Sequence, residues 1–190
     1  MNTIESYFQY FTDKKSDINE HMPTLKKYAE MSDTIMEMGV REVVSTWAFL
    51  AGKPKKMRSL DLYRSKNMDL VESMAKDQGL DFKFIVSDSL NIDIEEVDLL
   101  FIDTFHHYDQ LRQELDKHHT KAKKWIIMHD TTLFAHKCES FDAINSLSGF
   151  SQDCGKGLWD AVEEFVEKNQ QWFVKERFTN NNGLTVLERK

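Results

Sequence analysis

Between Val97 and Phe134 two apolar runs, VDLLFID and KKWIIMHD, each end in an acidic residue and flank one amphipathic segment, HHYDQLRQELDKHHTK. Runs of Leu, Ile, Phe, Trp and Met without polar alternation are the pattern of strands covered on both faces, as in a parallel sheet. Parallel neighbours need a crossover, and the segment between them has helical periodicity, so the stretch predicts a βαβ unit. Such crossovers are right-handed, and ligands bind beyond the carboxyl ends of the strands. Asp103 and the pair His129 and Asp130 are therefore expected together on one functional edge.

The rest of the chain repeats the theme. Thr34–Met38 reads as a first strand, Val40 begins a turn, and Ser45–Leu50 reads as helix. MRSLDLY is a second strand ending at Asp61. Lys66–Gln78 is a helix with Met68, Val71, Met74 and Ala75 on one face, and Phe82–Val86 is a third strand. Residues 131–156 lack firm periodicity and read as a loop or lid over the carboxyl edge. Gly157–Asn169 is an amphipathic helix. QWFVKERF and LTVLER, joined through an Asn-Gly turn, predict an antiparallel hairpin. Strands alternating with helices define a single-domain α/β fold with a doubly wound, mostly parallel seven-stranded sheet and a C-terminal antiparallel hairpin. Residues 1–30 read as helices that pack on the core or cover the site, ahead of a main domain over 31–190. Pro23 suits the first turn of the second helix, and Tyr7, Tyr10 and Phe11 would cap the core, cover a substrate or form a homo-oligomer face.

A net charge of −7 in 190 residues, without a cationic block among aromatics, argues against nucleic acid as a partner. No stretch approaches the roughly 20 apolar residues of a membrane span, and the first residues lack a basic leader. Cys138 and Cys154 are in no metal-ligand spacing and read as thiols of a reducing compartment. These features predict a soluble, cytoplasmic protein with no membrane or nucleic-acid partner.

The acidic and glycine positions add a likeness. A strand ending in Glu37-x-Gly39, a second ending in Asp61, a third running into Ser87-Asp88-Ser89 and a fourth ending in Asp103 resemble the class I S-adenosylmethionine-dependent methyltransferases. More narrowly, EMGVREVVST with its Ser45-Thr46, FIDTFHHYDQLRQEL, IIMHDTT, GLWDAVEEF and NNNGLTVLER look like the branch that includes macrocin O-methyltransferase and cephalosporin hydroxylase-like proteins. The resemblance implies S-adenosylmethionine as cofactor, with Glu37, Gly39, Ser45 and Thr46 near its methionine part. It implies Asp61 on the ribose, Asp88 and Ser89 near the adenine, and Asp103 between cofactor and acceptor. A nicotinamide-dependent dehydrogenase is disfavoured because no GxGxxG follows the first strand.

Several members of that branch bind a divalent cation at strand ends, which here would fall to Asp103, His129 and Asp130. Physics points the same way, because carboxylates on parallel strands about 4.8 Å apart repel unless protonated, hydrogen-bonded or bridged by a cation. Carboxylates capping helix N-termini are the plain structural alternative. Oxygen ligands favour Mg²⁺ or Ca²⁺, and a histidine tilts the choice toward Mn²⁺. His106 matches the family histidine and, as a neutral imidazole, would take the acceptor proton, with Asp103 as its catalytic companion. His107 ranks behind it, His118 and His119 belong to a solvated helix end, and His136 sits in the lid. Two positions depart from the branch. Val43 replaces a glycine of the first turn and Thr104 the glycine after Asp103, and side chains there are expected to crowd the cofactor. The function these features predict is an O-methyltransferase acting on a hydroxyl of a sugar-like or other small polar acceptor. The alternative is a non-catalytic binding or assembly module on the same fold.

Overall fold

The computed structural model describes residues 3–140, 149–151 and 154–190. Its strands are β1 (Thr34–Met38), β2 (Lys56–Asp61), β3 (Asp81–Val86), β4 (Val97–Ile102), β5 (Ala122–His129), β6 (Trp172–Phe178) and β7 (Leu184–Arg189). They form one sheet in the order β3-β2-β1-β4-β5-β7-β6. β1 to β5 run parallel, whereas β7 pairs antiparallel with β5 and with β6. Every residue of β4 is buried, as the unbroken apolar run requires.

Helices α1 (Ile4–Asp13), α2 (Met22–Glu30), α3 (Val44–Ala51) and α4 (Met68–Asp77) share one apolar cluster on one face of the sheet. Helices α5 (Tyr108–His118) and α6 (Leu158–Lys168) share the other. α1 and α2 pack on the core through Ile4, Phe8, Leu25 and Tyr28, and Tyr7 stacks on Trp47 at 4.4 Å. The register places Met38 beside both Leu60 and Ile102, and Ile102 beside Met128, so four parallel strands end at one level. That alignment brings Gly39, Asp61, Asp103 and His129 to the same edge.

The β6–β7 turn takes an unusual path for a reason. Asn181 (φ +47°), Asn182 (φ +68°) and Gly183 (φ +99°) are all left-handed. A Cβ on Gly183 would come within 2.3 Å of Thr132 Oγ1, so only glycine lets the turn lie against the end of β5. From there the Asn181 side chain accepts from Glu20 N–H (3.1 Å) and donates to the Ser16 carbonyl (2.8 Å), while His21 Nε2 donates to the Asn180 carbonyl (3.0 Å).

Cys138 and Cys154 are joined as a disulfide, with Cα atoms 6.4 Å apart. Gly157 packs so closely on the Phe134 carbonyl, 2.2 Å from a built Cβ, that residues 154–157 are drawn back against 134–138. The spacing of 16 residues gave no sign of this return. The pairing corrects the reading of free thiols and removes the argument for a reducing compartment. Part of the expected lid, residues 141–148 and 152–153, lies outside the described residues. No described helix is long and apolar enough to cross a membrane.

Candidate active site

A cavity of about 650 Å³ opens at the carboxyl edge of β1 to β4. Of the residues singled out from sequence, Gly39, Ser45, Asp61, Asp88, Ser89, Asp103 and His106 line it. Glu37, Thr46, His129 and Asp130 do not, and form its supports.

The β1 turn is built around one close approach. Gly39 has φ +85°, and a Cβ there would lie 1.9 Å from the Asp103 carbonyl oxygen. Only a glycine allows the β1 and β4 loops to touch. Asp61 holds the following residues: its Oδ2 accepts N–H bonds from Val40 (2.8 Å) and Arg41 (3.0 Å), and its Oδ1 accepts from Tyr63 (3.3 Å). Asp88 caps its own loop, accepting from Leu90 N–H (2.9 Å) and Asn91 Nδ2 (2.8 Å).

Glu37 lies behind this turn, fully buried, and accepts from the hydroxyls of Ser45 (2.6 Å), Thr46 (2.9 Å) and Ser59 (2.5 Å). Burial pushes its carboxyl up to about 7 against the pull of those three donors. The carboxylate therefore fixes the start of α3 to β1 and β2 and does not line the cavity. Val43 adopts φ +62° at the N-cap of α3, the left-handed geometry a glycine would take freely. Its side chain is buried in the helix cluster and does not line the cavity, so it bears on the site through the backbone of the turn.

Thr104 does line the cavity, and its hydroxyl donates to both oxygens of Glu114 (2.8 and 2.9 Å). Glu114 is also fully buried, and burial raises its carboxyl to about 7, opposed by bonds from Ser89, Gln110 and Thr104. Sequence reasoning missed this group. Its signal was the stripe 107, 110, 111, 114, 115 and 118 at helical spacing, in which His107, Gln110, Glu114 and His118 alternate with Leu111 and Leu115. All six are buried, so His118 belongs to the core and not to a solvated end. His107 caps α5, accepting from Asp109 N–H.

At the β4–β5 side the groups are charged. His106 Nε2 lies 2.8 Å from Asp130 Oδ2 and 3.4 Å from Asp103 Oδ1, its Nδ1 faces Glu139 Oε2 at 2.9 Å, and its ring stacks on Phe134 at 4.8 Å. His129 Nδ1 lies 3.0 Å from Asp130 Oδ2 and 3.7 Å from Asp103 Oδ1, while its Nε2 donates to the Asn181 carbonyl (3.2 Å). Burial opposes charge at every one of these groups, yet the pairings prevail. Asp103 is held well below the usual carboxylate range, and Asp130 down at about 2. His129 is pushed up to about 10 and His106 to about 12. Its three carboxylate neighbours thus favour the charged form of His106, whereas the ordinary imidazole value favours the neutral one. Asp130 Oδ1 is buried without a hydrogen-bond partner among the described residues. Glu139 and the Asn181 carbonyl are further members that the sequence did not disclose.

No protein-family model matches the chain, and no curated protein matches its sequence. Its fold is similar to those of solved methyltransferases. An O-methyltransferase of Bacillus cereus in complex with S-adenosylhomocysteine has a TM-score of 0.60 at 14% identity, covering 100% of this chain and 91% of that one. An S-adenosylhomocysteine-bound methyltransferase of Podospora anserina gives 0.60 at 15%, over 98% and 87%. The N-methyltransferase NodS of Bradyrhizobium japonicum, also with S-adenosylhomocysteine, gives 0.59 at 13%, over 100% and 99%. These likenesses establish the Rossmann-like methyltransferase fold.

Proposed function

We propose that the chain is an S-adenosylmethionine-dependent O-methyltransferase, assisted by a divalent cation, that acts on a hydroxyl of a sugar-like or other small polar acceptor. The observation that carries the reading is the single cavity running from Asp88 and Asp61, past the flush contact of Gly39 with Asp103, to His106. A chamber of this size has room for a nucleoside with an amino-acid tail, and its glycine floor leaves the backbone open to it. Three backbone N–H groups already occupy Asp61, which by the usual count of about four acceptor sites keeps one for a ribose hydroxyl.

The bound cofactor would supply an electrophilic methyl group on sulfur. The chain's own part is to align an acceptor oxygen with that carbon, an effect of position more than of proton removal. Asp103 borders both compartments and is the residue to orient the acceptor hydroxyl.

Asp103, His129 and Asp130 bring one ligand atom each to within 4.8 Å of one another. The donor set fits a divalent cation, which would take the place of the Nδ1 proton that the two carboxylates otherwise hold on His129. The Nε2–H bond to the Asn181 carbonyl is the outer contact that fixes a ligating imidazole, and it turns Nδ1 toward the carboxylates. The unpartnered Asp130 Oδ1 is a second reason. A cation held there would lower the pKa of an acceptor hydroxyl, and Mg²⁺ or Mn²⁺ suits the mixed oxygen and nitrogen set. A small-molecule partner goes with this reading.

Calorimetric titration with S-adenosylmethionine, with and without Mg²⁺, tests it: binding in the micromolar range is expected, and no heat in either condition overturns it. The second reading, a non-catalytic module, draws on the heavy occupation of Asp61 by its own backbone. S-adenosylhomocysteine retained through purification would count decisively against it.

A further inference from the structure

The wall formed by Ser89, Thr104 and Gln110 is not a neutral surface. All three residues line the cavity, and all three turn their donors away from it toward Glu114, which does not line it. Ser89 Oγ–H donates to Glu114 Oε1 (2.5 Å) and Thr104 Oγ1–H to both carboxylate oxygens. Gln110 Nε2 uses its two hydrogens on Ser89 Oγ (3.0 Å) and Glu114 Oε1 (2.8 Å). A flipped Gln110 amide would set its oxygen against a carboxylate, so the network itself fixes which end faces Glu114. What remains for the cavity is oxygen: the Gln110 carbonyl and lone pairs of the Thr104 and Ser89 hydroxyls. Asp88, beside them, is likewise an acceptor. A buried carboxylate with three convergent donors thus converts three residues, each able to donate, into a wall that only accepts.

We propose that Glu114 is a positioning residue that makes this wall read a hydrogen-bond donor on the base, selecting a purine with an exocyclic amine over one with a carbonyl at the same position. The inference rests on the cofactor reading above and goes beyond it, because it assigns the choice of base to a side chain that touches no ligand. Thr104 then has a use that glycine cannot fill: it supplies one of the acceptors and helps to hold Glu114. An amine entering here gains partners, whereas a carbonyl meets unscreened oxygens and leaves them unpaired, the asymmetry by which polar sites discriminate most strongly.

The test compares S-adenosylhomocysteine with its deaminated analogue, S-inosylhomocysteine, by calorimetry on the full chain at pH 8.5, where Glu114 is a carboxylate. The natural protein should prefer the adenine compound by about 30-fold or more, the size expected when buried acceptors are left unpaired. In Glu114→Gln the new amide must donate to a hydroxyl, which turns at least one donor outward, and the preference should fall to about threefold or less. A change confined to stability would leave the ratio of the two affinities intact. Thr104→Val, which keeps shape and removes the oxygen, should lower the ratio without unfolding the chain and serves if Glu114→Gln does not fold. Equal affinity of the natural protein for both compounds overturns the inference while leaving the proposed function standing. Binding of neither compound overturns both. A ratio unchanged in Thr104→Val and in folded Glu114→Gln overturns the role of Glu114.

Discussion

The two halves of the carboxyl edge satisfy their acids in opposite ways. In the β1–β3 half, Glu37, Asp61 and Asp88 accept from hydroxyls, backbone N–H groups and an amide, and among the described residues none is paired with a cation within bonding distance. In the β4–β5 half, Asp103, Asp130 and Glu139 face the two imidazoles of His106 and His129. Neutral donors fix a shape and remain fixed when a ligand arrives. Charges in close array can be redistributed by one, so under the proposed function the first half would hold the cofactor and the second would take part in the reaction.

The sharpest way to break that division is to cut one acid on each side. Asp130→Asn should lower turnover by about 10²- to 10³-fold, the range for losing a preorganised charge at a reacting centre, with affinity for S-adenosylhomocysteine within about threefold. Asp61→Ala should do the reverse, weakening the cofactor by about tenfold through lost hydrogen bonds. Turnover and calorimetric affinity measured on both variants decide the matter, and parallel losses in each would erase the distinction.

The halves should also answer differently to pH. The Glu37 carboxyl is raised from 4.5 to about 7 on folding. The folded chain therefore keeps a proton that the unfolded chain gives up, so the contribution is full below pH 4.5 and lost as pH rises through 7. Asp130, depressed to about 2, contributes above its ordinary value and loses that contribution as pH falls. The melting temperature of the natural protein minus that of Glu37→Gln should fall between pH 4.5 and 7, by an amount equivalent to at most about 3 kcal/mol. A difference that rises with pH would contradict the buried, neutral-donor picture of this half.

The smallest effect is expected at Val43. Its left-handed backbone costs about 1–3 kcal/mol and its side chain lies in the helix cluster. Val43→Gly should shift thermal stability while leaving cofactor affinity within about twofold. A larger change in affinity would mean that this turn, and not the Asp61 network, shapes the cofactor half.

Much of this edge was legible from local patterns. β1 begins and ends where its apolar run does, and Asp103 and Asp130 mark the ends of β4 and β5 because buried parallel strands stop where charge begins. What escaped was whatever depends on partners distant in sequence. Glu114 is an ordinary helix glutamate until the loops after β3 and β4 bring Ser89 and Thr104 to it. His129 acquires its orientation from a carbonyl 52 residues away, and Cys138 finds Cys154 only because Gly157 lets two loop segments touch. His106 lines the cavity at the position its motif marks, while its protonation is governed by three acids that no single motif contains.

The Asn180–Gly183 turn ties together parts of the chain that lie far apart in sequence. Its hydrogen bonds to Ser16, Glu20 and His21 span 159 to 165 residues, and the same turn holds His129. A chain that lost this turn would lose the carbonyl that orients His129 together with three tethers to the N-terminal segment. One short loop is thus felt at both ends of the sequence and at the end of β5 between them.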